Sequence, residues 1–302
     1  MLSNFLKSAA ALVCVLFVVA CATIQIDLPP VSDSPGGERS PGKIIWRDLL
    51  THDLEGSQRF YGSLFGWEFE SIGSESGFSS DSAYTLIRHD GRLIGGMIDT
   101  VALNGRDDIS QWVVAMSVDD VDAVAAMFAA DGGEVITAPT DLQRRGQLAV
   151  VRDAEGALLA LLQTRDGDPV DNEPVVDEFL WEELWTTDID KATKFYGSVT
   201  GLRADEWDVD QDQSSDATYR LLKSGETPRL GIMPNPLEAL GPVWVSYLRV
   251  ESPADIAEKV DALGGRVIVE AQARALGGEV AFVAGPSGAG IALQTWPLEQ
   301  KN

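Results

Sequence analysis

The chain has 302 residues, room for two domains of ordinary size. Its 47 acidic side chains against 23 basic ones give a formal charge of −24, a field that repels nucleic acid and anionic lipid surfaces and excludes both as partners of the folded body. With 45% hydrophobic and 23% charged residues, the bulk of the chain is not disordered either.

The first residues read as a targeting signal. Lys7 precedes an apolar run, Ala9 to Ala20, that is too short for a comfortable membrane span. The run ends in Val18-Val19-Ala20-Cys21, which resembles a bacterial lipobox. Residues 1–20 are therefore expected to be a lipoprotein signal peptide, cut before Cys21, whose sulfur and new amino group take up palmitate-type acyl chains. Ala22 after the cysteine points to the outer membrane or its periplasmic face, with the lipid anchor as the only membrane contact. Cys14 leaves with the signal, so no disulfide is expected. Residues 21–42 follow as a lipidated flexible tether, rich in Pro, Ser, Gly and Asp.

A half-buried strand is predicted over Ile44 to Thr51, with Ile44, Trp46, Asp48 and Leu50 on one face. Asp53 stands at a helix N-cap, Leu54, Ser57, Phe60, Tyr61, Leu64 and Phe65 follow at helical spacing, and Gly66 ends the run. Strands are predicted at Glu68 to Ile72, Ala83 to Arg88 and Arg92 to Asp99, with a polar loop over Gly73 to Ser82. The next unit runs through a strand (Gln111 to Val118), a helix (Asp120 to Ala130), the Asp131-Gly132-Gly133 stop, and strands near Glu134, Gln147 and Ala157. The acidic connector Asp166 to Pro174 marks a domain boundary. Both units then recur. Trp181, Asp188 and Tyr196 repeat Trp46, Asp53 and Tyr61 at one constant offset, and Trp244, Gly265 and Gly288 repeat Trp112, Gly133 and Gly156 at a slightly shorter one. The chain is an internal duplication.

Several pieces in order carry a family resemblance. They are Trp46-Arg47-Asp48-Leu49 and Trp181-Glu182-Glu183-Leu184, Phe60-Tyr61 and Phe195-Tyr196, Leu64-Phe65-Gly66-Trp67, Gly95-Gly96-Met97, Val118-Asp119-Asp120-Val121-Asp122-Ala123, and Asp153-Ala154-Glu155-Gly156-Ala157. The chain resembles the vicinal oxygen chelate superfamily, the fold of glyoxalase, bleomycin-resistance proteins and extradiol dioxygenases, and within it the tandem-domain bacterial glyoxalase-like branch. The resemblance implies an α+β fold with two tandem glyoxalase-like domains, residues 43–165 and 175–298, joined by a linker over 166–174. Each domain is expected to pair two βαβββ modules into an open curved sheet around a cleft.

Enzymes of this superfamily usually hold a divalent metal in the cleft through His, Glu or Gln. At the matching positions this chain has Trp46 and Trp181, Trp112-Val113 and Trp244-Val245, and Ala160 and Ala292. None of these side chains can ligate a metal. The two histidines, His52 and His89, fall at a strand end and in a turn, so neither metal nor cofactor is expected.

The candidate ligand-binding residues are Trp46 and Asp48 in the first domain and Trp181, Glu183 and Trp185 in the second, with Trp112 and Trp244 as further lining. Tyr84, Tyr219 and Tyr247 are weaker candidates of the same kind. An aromatic wall beside one carboxylate suits a flat or cationic small molecule. The alternative is that the tryptophans fill the core and each carboxylate pairs with an arginine or a backbone amide. Arg144-Arg145-Gly146 reads as a solvated loop with an optional anion contact, and Gly95-Gly96 and Gly231 as points of close strand packing. Three functions stay open: a metal-free small-molecule binder, a lyase- or isomerase-type enzyme or dioxygenase with an unusual carboxylate or metal site, and an envelope scaffold.

Overall fold

The computed structural model describes residues 26–72, 84–104, 110–207, 219–237, 240–274 and 277–296. The expected signal peptide, Cys21 and the expected Gly73 to Ser82 loop lie outside the described residues. The first domain runs β1 (Ile44–Thr51), α1 (Leu54–Phe65), β2 (Glu68–Ser71), β3 (Tyr84–His89), β4 (Arg92–Asp99), a short α2 (Thr100–Asn104) that the sequence pattern did not suggest, β5 (Gln111–Ser117), α3 (Val121–Ala130), β6 (Glu134–Asp141), β7 (Gly146–Arg152) and β8 (Leu158–Thr164). The second repeats the plan as β9 (Phe179–Thr186), α4 (Ile189–Thr200), β10 (Arg203–Trp207), β11 (Tyr219–Ser224), β12 (Thr227–Pro234), β13 (Val243–Arg249), α5 (Pro253–Val260), β14 (Arg266–Ala273), β15 (Glu279–Ala284) and β16 (Gly290–Gln294).

Each domain is one eight-stranded sheet, ordered β2-β3-β4-β1-β5-β8-β7-β6 and β10-β11-β12-β9-β13-β16-β15-β14. Within a module the first and last strands pair in parallel, as β1 with β4 and β5 with β8, which requires the helical crossover between them. The two modules meet at the antiparallel pair β1 and β5.

Local chemistry sets the helix ends. Asp53 accepts the Gly56 N–H and Asp188 the Lys191 N–H, while Gly66 and Gly201 close their helices in the left-handed region.

The domains pack through their helix-bearing faces. Phe60 and Tyr61 of α1 lie at Gly265 and Gly285 of the second domain. In the reciprocal contact, Phe195 of α4 meets Phe128 of α3 edge to face at 4.8 Å, and Tyr196 donates to Asp153 Oδ2 at 2.9 Å. The Phe-Tyr pairs of the repeat are thus staples between domains. Asp153 also accepts three backbone N–H groups, from Glu155, Gly156 and Ala157, and Gly156 takes φ 105°, which explains a glycine in that motif.

Arg47 and Glu182, which occupy equivalent positions in the repeat, face each other across the interface at 2.7 Å, with Glu182 2% exposed. Equivalent residues near a two-fold axis meet like with like in a homodimer. Fusing the halves in one chain allows them to differ, and here they carry opposite charges. Burial pushes the Glu182 carboxyl up, and the Arg47 guanidinium opposes that shift.

One sequence expectation is corrected here. Residues 26–42 are not a free tether: Leu28 and Val31 are 5% and 4% exposed, and Gly42 N–H donates to the Ser117 carbonyl. Apolar side chains spaced among the prolines found a complementary cleft, which composition alone does not register. The linker is likewise pinned, with Asp168 accepting from Ser117, Thr164 and the Ser40 amide, and Asp171 bound to Lys43 and Arg229.

Candidate functional site

Strand alternation brings the predicted residues into two clefts, on the sheet faces turned away from the domain interface. In the first, Trp46 Nε1 donates to Asp48 Oδ1 at 2.9 Å and lies 3.1 Å from the Tyr84 hydroxyl, which donates to the same Asp48 oxygen at 2.7 Å. Arg145 Nη1 donates to Tyr84 at 2.7 Å, and its guanidinium lies 4.5 Å above the Trp46 ring. In the second, Trp181 Nε1 donates to Tyr219 at 2.9 Å, Tyr219 donates to Glu183 Oε1 at 2.7 Å, and Tyr247 donates to Glu183 Oε2 at 2.5 Å. Arg274 binds Glu183 and Gln294 and lies 4.9 Å over the Tyr247 ring. Trp185 completes the set, with Nε1 3.4 Å from Glu183.

Each cleft therefore holds a Trp–Tyr–carboxylate–Arg network, with one glycine as its spacer. A Cβ at Gly96 would collide with Asp48 and the Tyr84 hydroxyl, and one at Gly231 with the Tyr219 hydroxyl. The close-packing role expected of these glycines has a concrete cause.

The two arginines were the missing part. Arg145, expected in a solvated loop, is 1% exposed, and Arg274 carried no signal of its own. The only available clue was that a buried carboxylate calls for a cation. The arginines sit at different repeat positions, one just before β7 and the other just after β14, so the register of the duplication does not align them.

Trp112 and Trp244 are not brought to the clefts. Each points into the domain interface, where Trp112 donates to Tyr61 at 3.1 Å and Trp244 to Tyr196 at 3.3 Å. Their neighbours Val113 and Val245 take the cleft face, because side chains alternate along β5 and β13. His52 lies between β1 and α1, and His89 lies 3.0 Å from Glu178.

The clefts differ in content. The first is filled by Leu28 and Val31. The second encloses about 370 Å3, lined by residues that include Trp185, Met233, Leu237, Tyr247, Arg274 and Phe282.

Burial pushes the Asp48 carboxyl above its ordinary 3.8, against the pull of Arg145 and the Tyr84 and Trp46 hydrogen bonds. The folded chain then holds that proton more tightly than the unfolded one. The stability this confers is complete below 3.8 and is lost as pH rises through the elevated folded value. Asp48→Asn, which cannot titrate, is expected to gain on the parent as pH rises from below 3.8 to neutrality. Urea midpoints of the two proteins across that range check it, and a variant that loses ground to the parent as pH rises contradicts it.

No family model matches the chain. CFP32 of Mycobacterium tuberculosis, named as a candidate glyoxylase, is 30% identical over 256 residues, covering 83% of this chain and 94% of that protein. The chain belongs to the vicinal oxygen chelate superfamily. The anthracycline biosynthesis protein DnrV of Streptomyces peucetius is 29% identical over 266 residues, covering 84% and 93% of the two chains. Among solved structures, the Mn(II)-bound glyoxalase of Novosphingobium aromaticivorans superposes with a TM-score of 0.56 at 18% identity, covering 86% of this chain and 83% of that one. The 2,3-dioxygenase LapB of Pseudomonas sp. KL28 superposes with a TM-score of 0.56 at 12% identity, covering 87% and 95%. The superfamily fold, with its tandem domains, spans nearly all of the described chain.

The metal of this superfamily does not fit the side chains present. Among the described residues no three His, Cys, Asp or Glu side chains converge. Each cleft offers one carboxylate, already engaged by hydroxyl and indole partners, and in the second cleft by a guanidinium as well, opposite Val113 and Ala160 or Val245 and Ala292. Aliphatic carbons there supply no lone pairs.

Proposed function

We propose that the chain is an envelope-anchored binding protein whose second cleft takes up a small, flat, uncharged organic molecule without a metal. The observation that carries this reading is the cavity of about 370 Å3 walled by Trp185, Tyr247 and Phe282 with Met233, Leu237 and Val269. Such a lining rewards apolar area and ring stacking. The sequence left flat and cationic ligands open. Glu183 is neutralised by Arg274, which removes the free carboxylate that a cation would need and favours the uncharged class. One relative is named for anthracycline biosynthesis, and anthracyclines are flat, fused-ring molecules. Anchoring at Cys21 leaves residues 22–25, whose reach is at most roughly 15 Å, before the seated Ile26, holding the body close to the lipid.

The glyoxylase name of one relative favours a second reading, an enzyme of lyase or isomerase type with Glu183 as base. That reading needs Glu183 freed from Arg274.

Tryptophan fluorescence titrations of the full chain with a panel of flat neutral aromatics test the proposal. Trp185→Ala and Phe282→Ala are each expected to weaken binding roughly tenfold, about 1.4 kcal/mol. Binding that neither substitution moves places the site elsewhere, and turnover abolished by a chelator sinks the metal-free reading. Labelled palmitate incorporated by the parent but not by Cys21→Ser checks the anchor.

A further inference from the structure

The two clefts are built from the same parts, yet the first is occupied by its own chain. Residues 26–34 cross it as a strap. Leu28 and Val31 lie among Trp46, Tyr84, Leu142 and Leu148. The Leu28 amide donates to the Leu142 carbonyl at 3.3 Å, and the Pro29 carbonyl accepts from Arg145 Nε at 2.9 Å. Outside the apolar contact, Asp27 pairs with Arg144 at 2.9 Å and Asp33 with Arg88 at 3.0 Å.

The strap shows what the cleft accepts: two aliphatic side chains and one acceptor oxygen on a guanidinium. That oxygen uses only half of the available edge. In a guanidinium, Nε–H and the Nη2 hydrogen point the same way and form the fork that a carboxylate fills with two parallel bonds. Arg145 Nη2 is buried and has no hydrogen-bond partner, whereas Nη1 is spent on Tyr84. The Pro29 carbonyl as placed serves only Nε, whereas a two-oxygen anion in the fork engages both hydrogens. Trp46 lies beneath the guanidinium and keeps its plane presented. The Asp48 carboxyl does not reach the guanidinium directly; Tyr84 stands between them.

We infer that the first cleft is a second small-molecule site, held shut by residues 26–34, for an apolar molecule bearing a carboxylate or similar two-oxygen anion. The apolar body replaces Leu28 and Val31, and the anion replaces the Pro29 carbonyl and takes both Nε and Nη2 of Arg145. The strap competes with the ligand, so the site opens only to the extent that the strap leaves. This assignment is independent of the second cleft, whose arginine is already bound by Glu183 and Gln294.

The test uses the full chain and 1-naphthoate as probe, with bound equivalents counted by equilibrium dialysis. Leu28→Asp/Val31→Asp expels the strap by burying two charges if it stays, and fast hydrogen exchange at the Leu28 amide reports its release. One more equivalent of 1-naphthoate than the parent binds is expected. That equivalent should weaken at least tenfold in an added Arg145→Lys background, which keeps the charge but not the fork, and should not form with the neutral methyl ester. A folded variant with a released strap and no added equivalent overturns the proposal. So does an added equivalent that Arg145→Lys leaves unchanged. Asp27→Ser/Asp33→Ser, which removes only the two outer ion pairs, carries the same readout should the first variant fail to fold.

Discussion

Replacing Arg274 with methionine is expected to destabilise the protein by about 3–5 kcal/mol, read as a lower urea midpoint. Glu183 is 0% exposed, and Arg274 is the cation bound to it. Methionine fills much of the arginine's volume, so the loss is electrostatic and not a cavity. It leaves a carboxylate held by Tyr219, Tyr247 and Trp185, none of which carries a countercharge. Removing both charges together is another matter. Glu183→Gln/Arg274→Met leaves no buried ion and an amide whose oxygen accepts from one tyrosine and whose NH2 donates to the other, so most of the lost stability should return. A single substitution costing under about 1 kcal/mol would mean that water reaches Glu183 and that the second cleft is wetter than its lining implies.

Phe60→Ala is expected to cost about 3–5 kcal/mol, because the ring is fully buried and part of its packing belongs to the other domain. Phe60 presses on the backbone around Gly265 and Gly285, where a Cβ at Gly265 would overlap the ring, so the surroundings have little freedom to collapse into the hole. The effect should reach both halves. Loosening this staple weakens a shared core in which Leu49, Phe65 and Trp112 meet Leu248, Val260 and Val283. Calorimetry of the parent and the variant reads both consequences: a lower midpoint, and a transition that begins to separate into two. A variant that unfolds at the parental midpoint would show that the domains dock without this residue.

Much of the architecture was legible in the order of residues. The duplication announced two domains, and the caps at Asp53 and Gly66 marked the first helix to the residue. Period-two alternation placed Trp46 and Asp48 together, and likewise Trp181, Glu183 and Trp185, because a pleated strand leaves its side chains no other choice. The same alternation, applied one residue further, separates Trp112 from Val113 and Trp244 from Val245. Which of the two faces the cleft depends on the register of β5 against β1 and of β13 against β9, a pairing between distant segments that local pattern does not contain.

By itself, the sequence determined the fold, the repeat and the chemistry absent from the usual metal positions, since these follow from side-chain identity and short-range periodicity. Only the tertiary structure decided that an arginine from a hairpin completes each network, directly on Glu183 and through Tyr84 on Asp48, and that residues 26–34 close one cleft while the other stays open. Those outcomes rest on contacts between segments far apart in the chain, where burial makes a charge seek its partner and an apolar strap seek a hollow.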